Sequence, residues 1–401
     1  MDVLLLGNGF DLHHKFPTSY LNFLNVITHL VDNYEDSCAT VGSVLGNIEL
    51  HRKDDSVKKC YEKHKDVYDS TDLPSDKIKD MINRVRNNMW FKYLSGSVTK
   101  DIQWIDFEKK IHRVIQAFEA LFNCDEGIYS DGNTISFSWS VLNVGAEDKR
   151  ILSQFDFFCK EQNEIEKSSS QTRHVQSKYL EEQVAASGVY YFDLENVASA
   201  LYLSLKELGD VLREYLLYFV DAPSKKYDNL GIVPCFDSIC PIQYRVFSFN
   251  YTNTYEILYH SNRVNHIHGN TQNNIVLGIN PDDNDNVESV DTTFLQFKKY
   301  YQRILQKTDI EFLQSIRELG NRSFDTTLYV MGHSLDSTDE DIIKQIFESA
   351  HSIIILYHND TSLKNQMKNL VSIYGKAGLD RLRDEKNLQF LLQSEIEWKK
   401  F

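Results

Sequence analysis

Short apolar runs that stop at glycine or asparagine alternate along this chain with long amphipathic stretches. Residues 3–6 (VLLL) form a continuous apolar run too short for a helix, closed by Gly7-Asn8-Gly9. Such a run reads as a buried strand of a parallel sheet that meets a tight turn. Behind Ser75, an expected helix start, Ile78, Met81, Ile82, Val85, Met89, Trp90 and Tyr93 fall on one helical face. A second face carries Trp104, Phe107, Ile111, Val114, Ile115, Phe118, Leu121 and Phe122. Another amphipathic helix is expected over 197–219, and the polar stretch 160–190 reads as helix ends plus a mobile loop. Strand signals return at 245–249 (RVFSF), 275–278 (IVLG), 328–331 (LYVM) and 352–357 (SIIILY), with helical patterns between the later ones.

The pattern predicts an α/β fold with a doubly wound, mostly parallel sheet of Rossmann-like or sirtuin-like type. Residues 1–20 and 240–380 form its core, a large helical insertion spans 21–239, and 381–401 is a C-terminal extension. The chain has 401 residues, enough for a large core, and its 42% hydrophobic and 25% charged content is ordinary for a globular protein. A formal charge of −15 weighs against nucleic acid as a partner, because phosphate binding needs clustered cations. The six cysteines, at 38, 60, 124, 159, 235 and 240, include no Cys-x-x-Cys pair, so reduced thiols are expected and no structural zinc. Asp2 followed by four apolar residues is no leader peptide, and nothing approaches the ~20 apolar residues of a membrane helix. A soluble, cytoplasmic protein without a membrane partner is expected.

The polar residues of interest follow the strand ends, where open α/β sheets bind their ligands. The first strand runs into Gly7-Asn8-Gly9-Phe10-Asp11, the second into Asn250-Tyr251-Thr252-Asn253, and Gly332-His333-Ser334-Leu335-Asp336 follows 328–331. His266-Ile267-His268-Gly269-Asn270 precedes the run at 275–278. Each has a structural alternative. Asn250 and Thr252 suit a turn or a cap for a helix from Tyr255, and Asp336 and Asp339 suit capping ahead of Ile342. His266 and His268 share a face if extended, which is half a metal site with no third ligand in view. Trp104-Ile105-Asp106-Phe107-Glu108 suits a capped helix start.

Gly-Asn-Gly-Phe-Asp-Leu followed by Phe16-Pro17-Thr18-Ser19-Tyr20 resembles the opening of the AbiH family of bacterial phage-defence proteins. Trp104 to Glu108, Phe249-Asn250-Tyr251-Thr252, His266-Ile267-His268-Gly269 and Gly332-His333-Ser334-Leu335 continue that pattern in order. The resemblance implies abortive infection as the biological role, with a phage-derived trigger and a homo-oligomer. A more distant resemblance is to sirtuin-like NAD hydrolases, whose motifs are Gly-Ala-Gly-Phe-Ser, Thr-Asn-Tyr-Asp, Leu-His-Gly and Gly-Tyr-Ser-Leu. Asn8 here replaces the alanine, Asp11 the serine, Thr252 the aspartate of the second motif and His333 the tyrosine. No four-cysteine zinc module is present, so protein deacylation is not implied.

This second resemblance places Asn250 and His268 on the catalytic asparagine and histidine. Gly7, Asn8, Gly9, Phe10, Asp11, Tyr251, Thr252, Gly332, His333, Ser334 and Asp336 are then the nucleotide-binding residues, with NAD or a related adenine nucleotide as substrate rather than a resident cofactor and no metal. Nicotinamide leaves NAD as a neutral pyridine, so the site need only shelter the developing ribose cation and supply a base for one water or hydroxyl. A neutral histidine suits that base, an asparagine suits its orienter, and the turn after the first strand is expected to hold the diphosphate on backbone amides. Asp11 is expected at a ribose hydroxyl or as a cap. Three other classes stay open: a noncatalytic nucleotide or ADP-ribose sensor, a nuclease using Asp106, Glu108 and the histidines, and a serine hydrolase built on Ser334, which lacks the second glycine of Gly-x-Ser-x-Gly.

Overall fold

The computed structural model describes residues 2–35, 39–48, 55–96, 104–122, 128–130, 135–138, 144–155, 157–159, 172–175, 179–182, 189–227, 244–260, 264–280, 292–320 and 326–395. Its centre is a six-stranded, wholly parallel sheet. In chain order the strands are β1 (Asp2–Leu6), β2 (Tyr244–Ser248), β3 (Val264–His266), β4 (Thr327–Met331), β5 (Ser352–Tyr357) and β6 (Gln389–Leu392). In space they run β6-β5-β4-β1-β2-β3. Leu6 sits between Met331 and Ser248, and Ser248 lies opposite His266. The strands therefore end level, and the loops after β1, β2, β3 and β4 emerge at one edge of the sheet.

Burial on both faces explains the unbroken apolar strands. Val3 and Leu5 of β1 pack on one side with Phe247, Val330, Ile353 and Ile355, under Ile342, Ile346 and Phe347. Leu4 and Leu6 face the other side and join one continuous core with Trp90, Phe107, Phe118 and Tyr215 of the insertion. The helices that bear on the site are α1 (Gly9–His13), α2 (Trp104–Phe122), α3 (Leu194–Leu216), α4 (Thr254–Tyr259), α5 (Lys299–Gln306), α6 (Ile310–Gly320), α7 (Glu340–Ser349) and α8 (Asp360–Glu385). No described helix is long and apolar enough to cross a membrane.

Several expected elements differ. The run at 275–278 is not a strand: Gln302 clamps Leu277 from both sides, its Nε2 donating to Leu277 O and its Oε1 accepting from Leu277 N–H, each at 2.9 Å. Ile279 then bridges to residues 297–299 through two backbone bonds of 2.8 Å. Those backbone groups are satisfied outside the sheet, and β3, too short to show a periodicity, takes the edge. The last strand, β6, falls within the stretch read as a C-terminal extension. Residues 160–190, expected to be helix ends and loop, contain strands. The insertion holds a second, antiparallel sheet in the order Phe158–Cys159, Thr172–Val175, Ile135–Ser138, Ile128–Ser130, Val189–Phe192, Leu180–Glu182. The face from Ser75 to Tyr93 is two helices broken at Asn88, and Pro74, not Ser75, occupies the first cap.

Candidate functional site

Two of the four motif loops are stitched together through backbone, and the Asn250 side chain joins a third to them. Gly7 N–H donates to Met331 O at 3.0 Å and Gly9 N–H to Gly332 O at 2.8 Å. The contact is tight enough that a Cβ on Gly7 would lie 2.6 Å from His333 Cα, and one on Gly9 2.7 Å from Gly332 Cα. Phe10 N–H donates to Gly7 O at 2.9 Å and Leu12 N–H to Asn8 O at 3.1 Å. Four amides of the first turn thus have acceptors inside the chain. Phe10 is buried in an aromatic cluster with His14, Tyr255 and Tyr259. From the second loop Asn250 Nδ2 donates to Gly7 O at 3.1 Å, and no donor among the described residues reaches its Oδ1.

His268, only 3% exposed, stands beside this junction. Its carbonyl accepts from Val276 N–H at 2.8 Å, and Gly269 behind it takes a φ of +76° with no room for a side chain. The imidazole packs on Phe249, with ring centroids 5.3 Å apart. Nε2–H donates to Asp339 Oδ1 at 2.9 Å, and Nδ1 has no partner among the described residues. Asp339 Oδ1 also receives Lys299 Nζ at 2.9 Å, and the same ammonium reaches Glu108 Oε1 at 2.7 Å. Burial would raise the Asp339 carboxyl, but Lys299, His268 and His333 override it and hold Asp339 well below the usual range. Burial lowers His268 despite the Asp339 bond, with Lys299 and Arg303 adding to the fall. The result is a neutral imidazole held in one tautomer by a carboxylate, with its second nitrogen carrying an unused lone pair. This is the arrangement of a general base.

His333 is arranged differently. Its Nδ1 accepts from Leu335 N–H at 2.9 Å, so Nε2 carries the proton and faces Asp339 Oδ2 at 3.9 Å. Burial pushes it down to about 4, so the ring stays neutral. Leu335, which makes that bond, has a φ of 58°, unusual for a branched side chain and held by its complete burial. Gln366 and Asn369 of α8 brace the loop by donating to His333 O and Ser334 O. No hydrogen bond among the described residues joins Ser334 Oγ to a histidine. Asp336 caps the following turn by accepting from Thr338 N–H at 3.2 Å, as expected of a capping acid, whereas Asp339 makes no cap bond and turns to His268. Tyr251 OH donates to Val276 O at 2.8 Å and so ties the second loop to the His268 loop.

The two histidines part company, because His268 lies beyond the end of β3. His266 donates from Nδ1 to Asn250 O at 2.9 Å and from Nε2 to Glu256 Oε1 at 2.5 Å. Both ring nitrogens face acceptors, which favours the protonated ring; burial disfavours the charge, but the Glu256 bond outweighs it and raises His266. Beyond it lies a buried acidic group. Asp11 accepts from Thr252 Oγ1 at 2.6 Å, and Asp221 accepts from Asn253 Nδ2 at 2.8 Å and from Thr271 Oγ1. Asp221 ends the π-helical turn Leu217–Asp221 that continues α3, so the insertion grips two of the loops.

Burial, offset in part by Thr252 and Thr254, raises Asp11 from 3.8 to about 7. Such a group is protonated in the fold where it is ionised in the unfolded chain. The folded state therefore loses stability as pH rises from about 4 to about 7, by up to about 4 kcal/mol. Asp11→Asn cannot ionise and should match the wild-type melting temperature near pH 4 and exceed it at pH 8. Parallel melting profiles across that range would show that Asp11 is not neutral in the fold.

The structure thus brings Gly7, Gly9, Asn250, His268, Gly332 and His333 together, with Asp11 and Thr252 joined to each other. Asp106's side chain lies outside the described residues. Lys299 was not legible as a site residue, and Asp339 was legible only as a cap. Among the described residues no group of three or more His, Cys, Asp or Glu is placed to hold a metal ion. Compared with known proteins, residues 3–358 match the family model described as bacteriophage abortive infection AbiH. The chain belongs to that family. No curated protein and no solved structure matches it.

Proposed function

We propose that this AbiH-family chain acts in abortive infection as a hydrolase of NAD or a related adenine nucleotide, with His268 as general base. Membership of the family gives the defence role. The observation that carries the chemistry is the unpartnered Nδ1 of a buried histidine whose Nε2–H is held by a buried carboxylate. The strand order supports the ligand class: read from its other edge it is β3-β2-β1-β4-β5-β6, the order of doubly wound dinucleotide-binding sheets, with a switch point between β1 and β4. His268, Asn250 and Gly332 gather at that switch point. Because four amides of the first turn are bonded internally, the diphosphate must be held by other groups of these loops. Glu108 is committed to Lys299, which weakens the nuclease alternative.

The site is closed over, with His268 only 3% exposed and Asn250 7%. A protein that must stay silent until infection fits such a resting state. The test incubates purified full-length protein with NAD, alone and with extract of phage-infected cells, and follows released nicotinamide. Release that requires the protein is expected in at least the second case. If neither condition yields release and calorimetry detects no adenine nucleotide binding at millimolar concentration, the reading fails.

A further inference from the structure

Lys299 is an unusual residue to find sealed in a core. An ammonium that leaves water must recover its solvation from charged partners, and Lys299 does so from two carboxylates on different parts of the chain. Glu108 comes from α2 in the insertion and Asp339 from the loop after β4; both sit on Lys299 Nζ at hydrogen-bond distance. Its own helix is fixed to the His268 loop by the Gln302 clamp and the Ile279 bridge. Asp339 Oδ1 is therefore a shared oxygen, taking Lys299 on one side and His268 on the other.

We infer that Lys299 is a positioning residue for His268: from between Glu108 and Asp339 it locks the Asp339 carboxylate against Nε2–H and sets how much negative charge His268 feels. The inference rests on reading His268 as the base, but its test needs no substrate. The charged groups around the imidazole are Asp339, Lys299 and Arg303, with the neutral His333 facing Asp339 Oδ2, Glu108 acting through Lys299 and Arg303 itself paired to Asp341. Burial raises Glu108 to about 7 against the pull of Lys299, so over the acidic range in which His268 takes up a proton Glu108 is largely neutral and the Lys299 charge falls on Asp339. Glu108→Gln reproduces that state, and removing the cation as well leaves Asp339 to His268 alone, which makes it easier to protonate.

The experiment is an NMR pH titration of histidine-labelled full-length protein, with the His268 resonance assigned by its loss in His268→Ala. Glu108→Gln keeps the shape of the side chain and an acceptor for Lys299, and should leave the His268 midpoint near wild type. Glu108→Gln combined with Lys299→Met should move it to higher pH, and Lys299→Arg should stay near wild type with the Nε2–H tautomer kept. A midpoint in the double variant equal to that of Glu108→Gln would overturn the inference. Should the double variant not fold, Glu108→Gln combined with Lys299→Gln, which keeps a donor for Asp339 without the charge, decides in its place by the same comparison. These outcomes are read without NAD, so they stand apart from whether nicotinamide is released.

Discussion

His268→Ala should cut turnover by ~10²-fold or more while the protein still folds with a single cooperative melt. The imidazole packs on Phe249 and makes one hydrogen bond, to Asp339, so some fall in melting temperature is expected from the lost packing and bond. The loss of activity should exceed what that fall can explain at a temperature where the variant is folded. Asp339→Asn tests the second half of the pair. An asparagine offers an N–H as readily as a carbonyl, so the ring is no longer held with its proton on Nε2, and a loss of ~10²–10⁴-fold is expected from the wrong tautomer. That variant also leaves Lys299 with one carboxylate, so its melting temperature should fall as well. His266→Ala should leave more activity than either, because both nitrogens of His266 are already bonded to Asn250 O and Glu256. Initial rates of nicotinamide release for the three variants, beside their melting curves, decide the matter. Equal losses at His266 and His268, or full activity in His268→Ala, would remove His268 from the role of base.

How far the sequence could be read follows from where each element keeps its polar groups. β1, β4 and β5 are continuous apolar runs because both faces are buried, and apolar content alone finds them. Residues 275–278 look the same but end outside the sheet, because their partners are the Gln302 amide and the backbone of 297–299, neither of which periodicity can register. Asn250, His268 and Gly332 could be found because several loops of Gly, Asn, His, Ser and Asp cluster beside the strand signals and follow the family's motifs in order, although glycine and asparagine after a strand are common turn formers. Lys299 could not be found in that way. Helix α5 is inverted: Lys299, Gln302 and Arg303 are buried, while Ile304 and Leu305 are 60% and 59% exposed. A reading that assigns the apolar stripe to the core turns this helix around and sends Lys299 to solvent. The signal available was the inversion itself, a polar i, i+3, i+4 face on a helix short of solvent-facing charge. Asp339 was misread for a related reason, since an acid three residues ahead of Ile342 is indistinguishable in sequence from a cap.

Gly332→Ala should be strongly destabilising for a single added methyl. The new Cβ would lie 2.3 Å from Phe10 N and 2.6 Å from Gly9 C, which are backbone atoms that cannot rotate away. Gly332 also has a φ of +70°, a left-handed conformation that costs a residue with a Cβ roughly 1–2 kcal/mol before any overlap. Overpacking adds typically ~1–3 kcal/mol, and the Gly9 N–H to Gly332 O bond is lost when the loops part, so about 3 kcal/mol or more is expected in all. Gly9→Ala meets the same wall from the other side, with Gly332 Cα at 2.7 Å, but carries no left-handed strain and should cost less. The two changes press on one contact, so the double variant should cost less than their sum. Denaturant midpoints of the four proteins measure this directly. An unchanged midpoint in Gly332→Ala would mean that the β1 and β4 loops do not touch. Because bulk at Gly9 strikes the fold before it strikes a ligand, loss of nucleotide binding in a Gly9 variant reports on the turn only when its midpoint is preserved. The glycines hold the first turn, to which Asn250 is bonded, against the loop that carries His333, and through that spacing their loss should reach turnover as well.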